Sequence, residues 1–259
     1  MKKPLILVTN DDGITAPGLR ALVKFMSDIG EVVVVAPDSP QSGMGHAITI
    51  DNTLYSKKVR INDNDGAPLE YSCSGTPADC VKLGLQEILD RRPDMVVSGI
   101  NHGANSSINV IYSGTMSAAI EAGIEGIPAI GFSLCDFSWN ADFSCVGEIA
   151  KKIVLEALKN GMPKGTVLNV NIPKTDGTAP KGIKVCRQAK ANWKEKFDKR
   201  SSPSGKEYYW LTGEFELLDK GEDTDIHALN NGFVSVVPTQ FDLTAHHAIQ
   251  DINNWSLNE

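Results

Sequence analysis

Apolar residues fall in short runs, each stopped by turn-forming or polar residues. Pro4-Leu5-Ile6-Leu7-Val8 ends at Thr9-Asn10-Asp11-Asp12-Gly13, and Val32-Val33-Val34-Val35 ends at Ala36-Pro37-Asp38. Met95-Val96-Val97-Ser98 leads into Gly99-Ile100-Asn101-His102-Gly103-Ala104-Asn105; Pro128 to Ser133 and Val167 to Asn171 repeat the plan. Runs this short and apolar predict strands buried on both faces of a parallel sheet. Helical spacing lies between them. Leu19, Leu22, Val23 and Met26 recur at i, i+3, i+4 and i+7, and Val146, Ile149, Ala150, Ile153, Val154, Ala157 and Leu158 form a second amphipathic face. Thr15 is expected to cap the first helix, with Pro17 in its first turn and Gly30 at its end. Thr76-Pro77-Ala78-Asp79 starts another, whose core face is Val81, Leu85, Ile88 and Leu89. Tyr112-Ser113-Gly114-Thr115 precedes a helix of small residues through Ala118, Ala119, Ala122 and Gly123. Strand, loop, helix, strand in this order predicts an α/β fold with a mostly parallel sheet and helices on both faces.

Two regions break the pattern. Residues 47–72 alternate weakly and read as a β-hairpin with a turn at Asn62-Asp63-Asn64-Asp65-Gly66. From about residue 180 the regular units give way to a charged, aromatic stretch, with Trp193, Phe197, Tyr208, Tyr209 and Trp210 around the turn Ser201-Ser202-Pro203-Ser204-Gly205. A long hairpin is expected there, then an acidic loop at Glu222-Asp223-Thr224-Asp225, a strand at Gly232 to Val237 and a helix from about Thr244. The division predicted is a catalytic α/β core over 1–180 and a hairpin, strand and terminal helix over 181–259, suited to subunit contacts.

Composition narrows the function without naming it. The chain has 259 residues, 41% hydrophobic and 22% charged, and a net charge of -7. That acidity argues against a broad surface for nucleic-acid polymers or anionic membranes, yet allows an anionic small substrate beside a bound cation. Lys2 and Lys3 precede too short an apolar run for a signal peptide, and no stretch approaches a membrane span. Cys73, Cys80, Cys135, Cys145 and Cys186 are odd in number and lack CxxC spacing, as expected of reduced thiols in a cytoplasmic protein.

Three loops at the ends of apolar runs carry oxygen-bearing side chains: Asp11 and Asp12, Ser39 and Ser42, Asn101 and Asn105. The first alone reads as a solvated Asp-Gly turn. In an open α/β sheet, however, such loops meet at one edge, and carboxylate, hydroxyl and amide oxygens suit Mg²⁺, Mn²⁺ or Ca²⁺. Ser113-Gly114-Thr115 opens a helix, where free amides and the dipole attract an anion. A cation beside an anion pocket is what phosphoryl transfer to water requires. GxGxxG after the first strand, GxxxxGK[ST] and GxSxG are all absent, which sets aside that dinucleotide fold, P-loop NTPases and the α/β-hydrolase triad. His46, His102, His246 and His247 have no metal spacing and read as surface or packing residues; Asp79 reads as complementing a helix dipole.

These segments resemble the SurE family, the stationary-phase survival-protein nucleotidases. The likeness is carried by Ile6 to Gly13, Val35-Ala36-Pro37-Asp38, Gln41-Ser42-Gly43, Gly75 to Cys80, Val97 to Asn105, Tyr112 to Thr115, Gly232 to Pro238 and Asp242 to His246, in the same order along nearly the whole chain. The resemblance implies a Rossmann-like core with a C-terminal hairpin and helix that exchange between subunits of a homodimer or homotetramer. It implies a metal-dependent nucleotidase acting on nucleoside 5'- and 3'-monophosphates, with exopolyphosphatase or broader phosphatase side activity, and one divalent cation per subunit, Mg²⁺ or Mn²⁺. By position, Asp11, Asp12, Ser42 and Asn101 would hold the metal. Asn10, Ser113, Gly114 and Thr115, with Asn105, would hold phosphate or substrate, and Asp11, Asn10 and His246 would serve catalysis. Asp11 is compatible with a base or a covalent nucleophile, since ligand and nucleophile need the same residue type. A nucleotide or phosphate sensor without turnover, and a metal-dependent sugar-nucleotide transferase, fit the same crevice.

Overall fold

The computed structural model describes residues 3–61, 66–174 and 177–257. β1 (Leu5–Thr9) is buried throughout, and its alternation sends Ile6 and Val8 into one core cluster and Leu5 and Leu7 into the other. α1 (Pro17–Ser27) returns the chain to β2 (Glu31–Pro37), parallel to β1. β3 (Ser56–Val59) and β4 (Leu69–Cys73) pair antiparallel, as expected; residues 62–65 of the expected turn lie outside the described residues. α2 (Pro77–Leu83) runs on through a π-helical turn, Gly84–Ile88, to β5 (Met95–His102). A 3₁₀ turn, Ser107–Tyr112, leads into α3 (Gly114–Ile124), followed by β6 (Ala129–Leu134), α4 (Val146–Asn160) and β7 (Thr166–Ile172). Then come β8 (Ile183–Val185), the long hairpin of β9 (Ala191–Ser201) and β10 (Glu207–Leu217), α5 (Asp225–Asn230), β11 (Val234–Gln240) and α6 (Ile249–Asn253).

Among the described residues nine strands share one sheet, in the order β3-β4-β2-β1-β5-β6-β7-β11-β8. Six of its eight pairings are parallel; β3–β4 and β7–β11 are antiparallel. α1 and α4 pack on one face through Leu19, Leu22, Met26, Val146, Ala150 and Ile153, and α2 and α3 on the other through Cys80, Val81, Met116, Ala118 and Ala122. The chain steps outward from β1 through β2 to β4, then crosses back to β5 on the other side of β1. That reversal opens a crevice beyond the carboxyl ends of β1 and β5.

Thr15 does not cap α1. The N-cap is Ala16, with no side-chain bond, and Pro17 takes the first helical position. Pro17 has no N–H to satisfy and already holds a helical φ, so a cap gains little there. Thr76 does cap α2, accepting the Asp79 N–H at 3.2 Å and donating its own N–H to Asp79 Oδ2 at 2.9 Å. Asp79 does more than offset a dipole: it also accepts the N–H and hydroxyl of Thr49, tying the segment before β3 to the helix.

The sheet continues past β7, because β11 inserts between β7 and β8. The acidic loop supplies the fastening. Asp225 is buried, accepting Ser107 N–H at 2.7 Å, Ala189 N–H at 2.9 Å and Ile226 N–H at 2.8 Å. Asp225→Ala would leave these amides without their acceptor and is expected to cost about 3 kcal/mol in urea unfolding.

Candidate active site

β1 delivers Asp11 and Asp12 to the crevice, and Gly13 turns the chain away at φ 100°, a conformation open to glycine. Asn10 Nδ2 closes the turn on the Gly13 carbonyl at 3.0 Å, leaving Asn10 Oδ1 buried and unpartnered among the described residues. Asp11 is 4% exposed, and Thr115 donates its hydroxyl to Asp11 Oδ1 at 2.6 Å. Gly114 lets α3 come this close: a Cβ there would stand 2.6 Å from Asp11 Cβ. Burial pushes the Asp11 carboxyl up to about 6; the Thr115 hydroxyl opposes this and the neighbouring Asp12 adds to it. Burial also raises half-buried Asp12, against the influence of His102, whose N–H lies 3.4 Å from Asp12 Oδ2.

Asn101 stands in strand rather than loop, because β5 runs on to His102. Ser98 pairs with Gly131 and Asn101 with Ser133, so three steps on β5 match two on β6. This bulge re-aims the strand end. Asn101 Nδ2 donates to the carbonyls of His102 and Gly103 at 3.3 and 2.8 Å.

The Ser42 loop is tied to the same place. Gln41 N–H donates to the Asp11 carbonyl at 2.7 Å, and Gly45 N–H to the Tyr112 carbonyl at 3.2 Å. Ser42 itself is exposed, and Ser39 bonds to Asp38. Ser113 caps α3, accepting the Met116 N–H at 3.0 Å. The structure thus gathers Asn10, Asp11, Asp12, Gly114 and Thr115, with Asn101 one residue from the amide facing Asp12.

Asn105 and His246 are placed differently. Asn105 is buried and joined to the sheet: its Nδ2 donates to Ser133 Oγ, its N–H to Asn171 Oδ1, and its carbonyl accepts from Asn169. His246 is exposed, bonded to Asp242 at 3.0 Å, and among the described residues no hydrogen bond joins it to the Asp11 loop.

Two supports have no local signal in the sequence. His46 Nε2 donates to Glu121 Oε2 at 2.8 Å, and Lys82 Nζ to Oε1 at 2.6 Å, anchoring the end of the Ser42 loop to α3 and α2. His102 is a packing residue, stacked on Trp139 at 5.5 Å and edge-on to Phe143 at 5.2 Å, with Nδ1 on the Ser138 carbonyl. Among the described residues no cluster of three or more His, Cys, Asp or Glu is placed to hold a metal.

Comparison with known proteins settles the kinship. The family model for survival protein SurE matches residues 6–195. This chain belongs to the SurE family. It is 68% identical over 259 residues, the whole of both chains, to the protein named 5'-nucleotidase SurE of Flavobacterium psychrophilum. The protein of the same name from Christiangramia forsetii is 68% identical over 100% of this chain and 99% of its own. A solved SurE protein from Aquifex aeolicus, 42% identical, matches with a TM-score of 0.83 over 96% of this chain and 98% of its own.

Two expectations follow for this SurE chain. Gly114→Ala should lower stability by roughly 1–3 kcal/mol in denaturant unfolding, because the added methyl meets a buried carboxylate on packed backbone. The Glu121 side chain is 4% exposed, and the His46 hydrogen bond, with that of Lys82, holds its carboxyl below the ordinary 4.5. A folded value below the unfolded one adds stability that is full above pH 4.5 and fades as pH falls through the folded value. Urea midpoints of Glu121→Gln and the parent chain should therefore differ at pH 7 and converge toward pH 3.

Proposed function

We propose that this chain hydrolyses nucleoside 5'- and 3'-monophosphates to nucleoside and phosphate with the help of a divalent cation, and has exopolyphosphatase or broader phosphatase side activity. Full-length likeness to proteins named 5'-nucleotidase SurE makes it a phosphoric monoester hydrolase of nucleotidase type. The observation that carries the finer reading is the Asp11–Asp12 pair, raised by burial at the topological switch point and pressed against the start of α3.

The residues fit a cation. Two adjacent carboxyls, one buried, repel each other unless a positive charge relieves them. Asp11, Asp12, Ser42 and Asn101 would hold one Mg²⁺ or Mn²⁺ per subunit, an oxygen-donor set matched to hard ions. When bound, the ion would neutralise phosphoryl charge and lower the pKa of a water.

The remaining work belongs to the chain. Asp11, fixed by Thr115, accepts the proton of the attacking water as general base. Asn10 Oδ1, an unmet buried acceptor, orients that water by accepting its other hydrogen. Ser113, Gly114 and Thr115 place the positive end of α3 at the phosphoryl oxygens. In this reading Asn105 braces the loop from β6 and β7. His246 reaches a site through assembly, by exchange of its exposed arm between subunits of a homodimer or homotetramer. Residues 1–180 thus carry the chemistry and 181–259 the subunit contacts, where Phe197, Tyr209, Trp210 and Leu211 are exposed on the hairpin. Five cysteines, none of them in a disulfide, suit the cytoplasm. Among the described residues no helix is long and apolar enough to cross a membrane.

Phosphate release from a panel of nucleoside 5'- and 3'-monophosphates should require Mn²⁺ or Mg²⁺ and stop with EDTA. Asp11→Asn should lower kcat/KM by roughly 10³-fold while circular dichroism stays that of the parent. Nucleotide binding with no release under any metal would instead identify a sensor, and transfer to an acceptor with release of a nucleoside diphosphate would identify a transferase.

A further inference from the structure

Ser42 sits on the least supported stretch of the crevice. Ser42, Gly43 and Met44 are all exposed, and Gly43 and Gly45 bend the chain at φ 74° and 55°, where side chains are disfavoured. A span of this kind samples many conformations unless its ends are held. The near end is held by backbone, through Asp38 N–H on the Cys73 carbonyl and Gln41 N–H on the Asp11 carbonyl. At the far end a side chain takes over. Between Asp38 and Ala47, among the described residues, His46 is the one side chain whose hydrogen bond leaves the loop; Ser39 and Gln41 bond only within it.

The partner of His46 is suited to fixing a position. Glu121 is a carboxylate buried on a helix of small and apolar residues, and each of its oxygens has one donor, Lys82 on Oε1 and His46 on Oε2. Lys82 supplies the charge that burial demands and leaves the second oxygen to the loop. Glu121 also stands seven residues after Gly114, which puts both on one face of α3, two turns and about 11 Å apart. Gly114 and Thr115 lie against Asp11, and Glu121 lies against His46. One rigid helix therefore spans from the buried aspartate to the far anchor of the Ser42 loop.

We propose that His46 is a positioning residue for Ser42: bonded to Glu121, it sets the reach of the loop toward Asp11 and so strengthens binding of the divalent cation. The inference rests on the cation reading above and adds to it what places the one ligand that stands on an exposed turn. Ser42 brings no charge to the ion, so its contribution depends on being in place before the ion arrives. Loss of a group that orients a ligand weakens metal binding with the ligand itself intact.

The test is Mn²⁺ binding without substrate, read from the paramagnetic resonance signal of unbound Mn²⁺, with urea midpoints measured alongside. The chains compared are the parent, His46→Ala, His46→Gln and Thr49→Val. His46→Ala should bind Mn²⁺ roughly ten-fold more weakly, and His46→Gln should restore binding, because its amide N–H can stand where imidazole Nε2 stood. Thr49→Val cuts the hydroxyl tie to Asp79 three residues further on; its urea midpoint should fall while Mn²⁺ affinity stays that of the parent. With AMP as substrate, His46→Ala should need more Mn²⁺ for half its maximal rate and regain the parent kcat once the metal saturates. Parent-like Mn²⁺ affinity in His46→Ala, or an equal weakening in Thr49→Val, would overturn the positioning role and leave the cation reading standing. A parent chain that binds no Mn²⁺ would overturn both.

Discussion

Asp11 is buried at the end of a strand that is itself buried on both faces, and a carboxylate in that position is stable only where charge or hydrogen bonds meet it. The Thr115 hydroxyl meets it from the start of α3, whose positive end adds a favourable field. Meeting it requires α3 to lie against the Asp11 side chain, which Gly114 alone in that turn makes possible. The small residues that follow, Ala118, Ala119 and Ala122, let the same helix settle onto the sheet. One buried carboxylate thus fixes the first two residues of a helix, and packing on the sheet fixes the small ones that follow.

The surrounding loops are arranged by backbone rather than by side chains. Gln41 and Gly45 fasten the Ser42 segment through N–H groups, and His102 approaches Asp12 through its amide. Such contacts leave Asn10 Oδ1 without a partner among the described residues, while Asp11, Asp12 and Asn101 keep the hydrogen bonds that orient them. They also depend on the sheet keeping β1 and β5 adjacent, which the clusters on both faces enforce.

Much of this was legible in the chain. β1 and its acidic turn, the cap at Thr76, the small-residue helix and the long hairpin each have a signal within a window of a few residues. What was not legible depends on partners far along the sequence. The bulge that turns Asn101 exists because of the register with β6, and nothing near Asn101 records it. Asp225 reads as part of an acidic loop, yet it is buried and bonded to amides, one of them 118 residues away. His46 reads only as a surface or packing histidine, and its partner Glu121 lies 75 residues on. Thr15 misleads in the opposite way: a good cap residue stands where proline has removed the need for one. Asn105 has the oxygen and nitrogen of a binding residue, but its hydrogen bonds run to neighbouring strands.

The hairpin leaves and rejoins the body at adjacent points between β8 and β11, where the Leu218 N–H donates to the Lys190 carbonyl at 3.0 Å and the Lys190 N–H to Asp219 Oδ2 at 3.2 Å. An insertion with adjacent ends can lengthen, shorten or be replaced without unthreading the sheet that holds the aspartates. Trp193 and Leu211 ride on that insertion, while Asp11 and Thr115 do not. The sheet that holds the acidic pair and the hairpin that stands off it are therefore separable pieces of the chain, free to diverge at different rates.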